Sequence, residues 1–157
     1  MLFRSRLIEL GVPLTIQGGQ WQKAPEWPRL QKHWRGGAIE GDDYARAIQC
    51  AKVNLGLLSK GNRDLHTTRS LEIPALGGLL CAERTPEHLA MYDEGAEAAF
   101  WSDADECAAT CQSLLADDAR RQRIAQAGQR RHWRNGHQNE TVMQALLSLA
   151  IHPLQTC

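Results

Sequence analysis

The sequence has no excess of charge of either sign: Lys+Arg 18 stands against Asp+Glu 18. That balance argues against a dedicated nucleic-acid or membrane-surface binder. Apolar runs are short. None approaches the ~18 consecutive residues of a membrane-spanning helix. The opening Met1-Leu-Phe-Arg-Ser-Arg lacks the apolar stretch of a signal peptide. A cytoplasmic location is the expectation. There is no internal repeat and no low-complexity tract. The five cysteines, Cys50, Cys81, Cys107, Cys111 and Cys157, are odd in number and irregularly spaced. No CxxC or zinc pattern is among them, so they read as reduced core or surface thiols, with no metal site. His132 and His137 lack a third ligand nearby, and no nucleophile elbow is visible.

What is present is an ordinary globular composition. Hydrophobic residues make up 43% of 157 residues, enough for one domain with a real core. Residues 4–10 read as a helix stopped by Gly11 and Pro13. Residues 13–17 read as a short strand before Gly18-Gly19, and Ala38-Ile39 as another. Trp21, Trp27 and Trp34 anchor an irregular stretch between them by packing. Gly41-Asp42-Asp43 opens a helix through Ala51, with Tyr44, Ala47, Ile48 and Ala51 at helical spacing. Lys52–Leu58 is the clearest buried strand.

A polar loop, Ser59 to His66, follows. Thr67-Thr68 opens a short helix that Pro74 and Gly77-Gly78 confine. Leu79–Ala82 is the next strand. Thr85-Pro86 starts a helix in the N-cap, N1 manner. Residues 96–101 form a strand. Asp103 caps a helix through Leu115, Asp117-Asp118 one to about Trp133, and Asn139 or Thr141 opens the last. Arg120, Arg121, Arg123, Arg130, Arg131 and Arg134 read as a solvated face. Strands alternating with helices imply an α/β fold: a Rossmann-like parallel sheet flanked by helices.

Ligands in such folds bind at the carboxyl ends of the strands. Gly18 and Gly19 follow one strand; Lys60, Arg63, Asp64 and His66 follow another. The amides that open the 68–75 helix, after Thr67 and Thr68, attract an anion, above all a phosphate. Arg69 is a cation in the first turn, opposed to the helix dipole, and is better explained by a bound anion. Glu72 lies one turn further, where a carboxylate can accept from a ribose diol. The alternative is that Glu72 pairs with Arg69 on the surface and the loop cations are solvated.

The run from Asn62 to Gly78, Asn-Arg-Asp-Leu-His-Thr-Thr-Arg-Ser-Leu-Glu-Ile-Pro-Ala-Leu-Gly-Gly, with the trailing Glu83-Arg84-Thr85, resembles the signature of group 1 glycosyltransferases. More narrowly it resembles their spore-maturation-protein-like branch, with Leu71 in place of the usual Phe. The resemblance implies the C-terminal half of a GT-B fold that grips a nucleotide-diphosphate sugar. It implies ribose binding by Glu72, Asp64 near the donor sugar, and Lys60, Arg63 and Arg69 at the diphosphate. It implies no metal and no cofactor beyond the donor substrate. It further implies a missing N-terminal acceptor domain or partner chain, and a sheet that lacks its first strand and carries an open edge. Residues 1–157 are thus expected to be one nucleotide-sugar-binding domain, inactive alone. The alternative is a non-catalytic nucleotide-binding or interaction module, from a degenerate or split enzyme. An RNA-binding role for the arginine helix is the minor alternative.

Overall fold

The computed structural model describes residues 3–59 and 61–151. In chain order the elements are α1 (Phe3–Glu9), α2 (Trp27–Leu30), α3 (Gly41–Cys50), β1 (Asn54–Gly56), α4 (Thr68–Ala75), β2 (Leu80–Glu83), α5 (Pro86–Met91), β3 (Ala99–Trp101), α6 (Ala104–Ala116), α7 (Asp118–Asn135) and α8 (Asn139–Ile151). The three strands form one parallel sheet in the order β1-β2-β3, with Leu55, Cys81 and Ala99 in register. The expected Rossmann-like α/β architecture is present. Among the described residues no helix is long and apolar enough to cross a membrane.

Side chains alternate across the sheet, as the two-residue period of a strand requires. Cys81, Ala99 and Trp101 face one layer with Leu7 of α1, Cys107, Cys111 and Leu114 of α6, and Ile124 of α7. Leu80, Ala82, Ala98 and Phe100 face the other, with Ile48 of α3, Ile73 of α4 and Tyr92. Helices therefore cover both faces. Burial of each leucine or isoleucine contributes about 1.5–3 kcal/mol.

The helix starts follow local chemistry. Thr85 accepts from the His88 amide at 3.1 Å, Asp103 from Glu106 at 2.8 Å and Asp117 from Arg120 at 2.8 Å. These satisfy amides with no partner inside the helix. Gly78 joins α4 to β2 where a Cβ would lie 2.7 Å from Ile48 Cγ2 and 2.8 Å from Asn54 Nδ2. Only glycine fits that approach. Gly77, at φ +80, turns the chain off the helix in the left-handed region.

Three expectations are corrected. Residues 13–17 form no strand of the sheet: only Ile16 makes an isolated parallel bridge, to Trp34. The Ile16 amide donates to the His33 carbonyl, and the Arg35 amide to Ile16. The pairing potential is thus spent on the neighbouring loop, and Pro13 has no amide to give. Ala38-Ile39 is likewise no strand. The arginines of α7 are not all solvated. Arg121 is buried, donating to the Leu114 carbonyl at 3.3 Å and paired with Asp118. Arg131 and Arg134 converge on buried Glu97.

Candidate functional site

The carboxyl ends of the strands were expected to carry ligand chemistry, and they differ in how they are filled. Beyond β2, Arg84 is fully engaged. Its guanidinium donates to Glu94 at 2.6 Å and to Glu106 at 2.7 Å, and it also meets Ser102 and the Phe100 carbonyl. Its amide donates to the Trp101 carbonyl at 2.7 Å. Arg84 is a strut that locks β2 to β3. Its hydrogen bond, with one from the Ser102 amide, pulls the Glu106 carboxyl down to about 2. Thr85 is structural as well: its hydroxyl donates to the Leu65 carbonyl at 2.6 Å, tethering the loop beyond β1.

Beyond β1 the surface is open. Arg63 takes a left-handed conformation at φ +56, which a side chain adopts at a cost. The amides of Asn62 and Asp64 both turn back to the Ser59 carbonyl. His66 Nδ1 meets the Glu87 carboxylate across the loop. His66, Glu87, Met91, Asn135 and His137 line an open pocket of about 390 Å³. Lys60 lies outside the described residues.

The start of α4 is held from beneath. Thr67 is the N-cap, and the Ser70 hydroxyl accepts from its amide at 3.2 Å in a capping box. Ser70 in turn meets His88 Nε2 at 2.7 Å, and His88 Nδ1 lies 2.6 Å from the Glu83 carbonyl. A carbonyl only accepts, so Nδ1 carries the proton and Nε2 accepts from the serine. His88 is fully buried, and burial lowers its pKa, keeping the ring neutral. Tyr92 adds a bond from its hydroxyl to the Ser70 carbonyl at 3.0 Å.

The outer face of α4 carries the charged groups. Tyr44, on α3, donates to Glu72 Oε2 at 2.8 Å. Arg69 bonds the Tyr44 oxygen at 2.6 Å, pairs with Glu72, and lays its guanidinium 4.6 Å from the Tyr44 ring centre. The Arg69 and Glu72 side chains remain 50% and 42% exposed. A pair so exposed contributes only about 0.2–1 kcal/mol. The surface pairing weighed as the alternative does form, and it is weak enough to exchange for a ligand.

One electrostatic feature separates α4 from the other long helices. α3 opens with Asp42 and Asp43, α6 with Asp105 and Glu106, α7 with Asp118 and α8 with Glu140. Each carboxylate answers the positive end of its helix. α4 has no acidic residue in its first turn and carries Arg69 there instead. Among the described residues no protein acceptor takes the Thr68 or Arg69 amide.

Over residues 2–148 the chain matches the model of a family described as glycosyl transferase-like. The chain belongs to the glycosyl transferase-like family. Among curated proteins none matches it.

Within this glycosyl transferase-like domain, Thr67, Thr68, Arg69 and Glu72 stand on one helix beside the loop of Arg63, Asp64 and His66. Gly18 and Gly19 belong to another neighbourhood. Gly18 gives its carbonyl to Trp34 Nε1 at 2.9 Å and its amide to the Gly36 carbonyl. No described hydrogen bond links that turn to α4. Tyr44 is the site residue that sequence reasoning missed. The sequence placed it only at helical spacing with Ala47, Ile48 and Ala51, whereas its hydroxyl reaches Glu72 on the next helix.

Proposed function

We propose that this chain is the donor-holding domain of a group 1, GT-B glycosyltransferase of the spore-maturation-protein-like branch, binding a nucleotide-diphosphate sugar at the start of α4. The observation that carries the reading is the first turn of α4. It offers an arginine, no carboxylate of its own and two amides that have no protein acceptor among the described residues. A diphosphate there accepts from the Thr68 and Arg69 amides and draws Arg69 from Glu72. Arg63 extends the cationic side into the loop, His66 stands in the same loop, and Lys60, by its place in the sequence, is a further candidate for the diphosphate.

Released from Arg69, the Glu72 carboxylate accepts from the two ribose hydroxyls. Tyr44 holds it in place and leaves one oxygen available. Asp64, in the loop, sits toward the sugar. Arg69 stabilises the charge that develops on the departing diphosphate, a role that preorganised cations and helix amides fill without a metal. An acceptor-bearing domain, in the same polypeptide or a partner chain, supplies the other wall of the active site. The transferred group is a hexosyl unit, and the domain works in the cytoplasm.

The test is calorimetric titration of the chain with UDP, GDP and ADP and their sugars. Saturable binding of at least one diphosphate, with nucleoside monophosphates far weaker, is expected. Glu72→Ala should weaken binding by about 10-fold or more, from loss of charge-assisted bonds worth ~1.5–3 kcal/mol. Failure of every nucleoside diphosphate to bind sinks the proposal.

A further inference from the structure

Beneath the sheet, on the face away from α4, three sulfurs converge. Cys81 comes from the centre of β2, and Cys107 and Cys111 come from consecutive turns of α6. Residues four apart on a helix share a face, so α6 presents both thiols to the strand. The three Sγ atoms all lie within 4.8 Å of one another. Exposure is 0% for Cys81, 0% for Cys107 and 3% for Cys111. Leu7, Val12, Leu79 and Leu114 belong to the same cluster. Among the described residues no histidine or carboxylate joins the three.

We propose that Cys81, Cys107 and Cys111 form a binding site for one soft d10 cation, of the Cu(I) or Zn(II) class. Ligand type comes first. Soft sulfur donors select such ions over hard, oxygen-seeking ones. Geometry comes next. An ion at the centre of three sulfurs with metal–sulfur bonds of ~2.3 Å sets those sulfurs ~4.0 Å apart. That separation falls inside the 4.8 Å limit the thiols already meet. The scaffold is third. One donor is on a central strand and two are on a helix packed against it, so each sulfur is held by a regular element. Binding deprotonates the thiols, and the cation offsets their charge in an apolar surround that would tolerate neither alone. The site is independent of nucleotide binding and ties α6 to the sheet.

The experiment uses the full chain, reduced, stripped with chelator and kept anaerobic. In separate arms it is titrated with Cu(I) against a competing Cu(I) chelator and with Zn(II) against a chromophoric indicator. One ion per chain, a sulfur-to-metal charge-transfer band in the copper arm and a raised melting temperature are expected in at least one arm. The arm with the tighter binding names the cation. Cys111→Ser should weaken that binding roughly 100-fold or more, beyond what loss of an outer-shell partner causes. Cys50→Ser, at an exposed thiol outside the cluster, should leave it unchanged. Equal binding by wild type and the Cys81→Ser, Cys107→Ser, Cys111→Ser triple variant overturns the proposal. Should the variants fail to fold, thiol labelling of wild type at a denaturant concentration that opens the metal-free chain decides. There the ion must slow the reaction of the three buried thiols, while exposed Cys50 reacts equally with and without it. Absence of that protection overturns the proposal as well.

Discussion

Tyr44 and Glu72 stand 28 residues apart in sequence and share a hydrogen bond of 2.8 Å. The bond joins α3 to the outer face of α4, and Arg69 closes it into a triangle. A carboxylate held in this way is aimed before any ligand arrives. Preorganisation of that kind lowers the cost of binding.

Tyr44→Phe should therefore separate aiming from contact. The fold should lose about 0.5–1.5 kcal/mol, the net worth of one hydrogen bond. Nucleoside diphosphate affinity should fall, but less than in Glu72→Ala. Urea unfolding and calorimetry on the same samples check both halves. Equal losses of affinity in the two variants would contradict a role for Tyr44 behind Glu72.

The chain has two tyrosines, and both are perturbed in the same direction. Burial, then the bond to Glu72, pushes Tyr44 up to about 12; burial, then the charge of Glu97, does the same to Tyr92. Raised folded values favour the neutral phenol. Their contribution to stability is full below ~10, the ordinary value for tyrosine. It is lost as pH rises through about 12. Phenolate absorbance of the native protein should rise well above the pH at which the urea-unfolded chain ionises. A native titration near 10 would count against both placements.

On the acid side the signs reverse. Glu106, held down to about 2 by the Arg84 bond, contributes stability above its unfolded value near 4.5. That contribution is lost as pH falls toward 2. His88, lowered by burial, contributes stability above ~6.5 that is lost as pH falls through its depressed folded value. Denaturant midpoints measured from pH 7 down to pH 2 should show an early decline and a later one. Asp105 and Asp118, lowered by Arg6 and Arg121, share the later decline, so Glu106→Gln should shrink it and leave the early one unchanged.

Close packing of glycine gives a prediction free of electrostatics. A Cβ at Gly128, on α7, would lie 2.2 Å from the Glu97 carbonyl oxygen, and one at Gly78 2.7 Å from Ile48. Backbone cannot yield as a flexible side chain can. Gly78→Ala should cost about 1–3 kcal/mol and Gly128→Ala at least as much. Gly37→Ala, with nothing within 4 Å, should be near neutral. Melting temperatures of the three variants test the order.

Helix starts were readable in advance because capping acts over three or four residues. Thr85, Asp103 and Asp117 satisfy amides in their own first turns. The bareness of α4 was equally readable, since the absence of an acid beside Arg69 is a fact of adjacent positions. Local rules misled at 13–17. There an extended, apolar segment reads as a sheet strand, although its backbone partners lie in the loop at 33–35.

By itself the sequence determined the order of helices and strands from α3 onward, the alternation that makes a two-faced sheet, and the absence of an acid from the first turn of α4. All depend on spacing along the chain, over a turn of helix or a pair of strand positions. Only the tertiary structure decided that Tyr44 aims Glu72, that Arg84 is consumed as a strut between Glu94 and Glu106, and that Cys81 meets Cys107 and Cys111. Those partners are separated by 10 to 30 residues. What joins them is the packing of helices on a sheet, which no local period encodes.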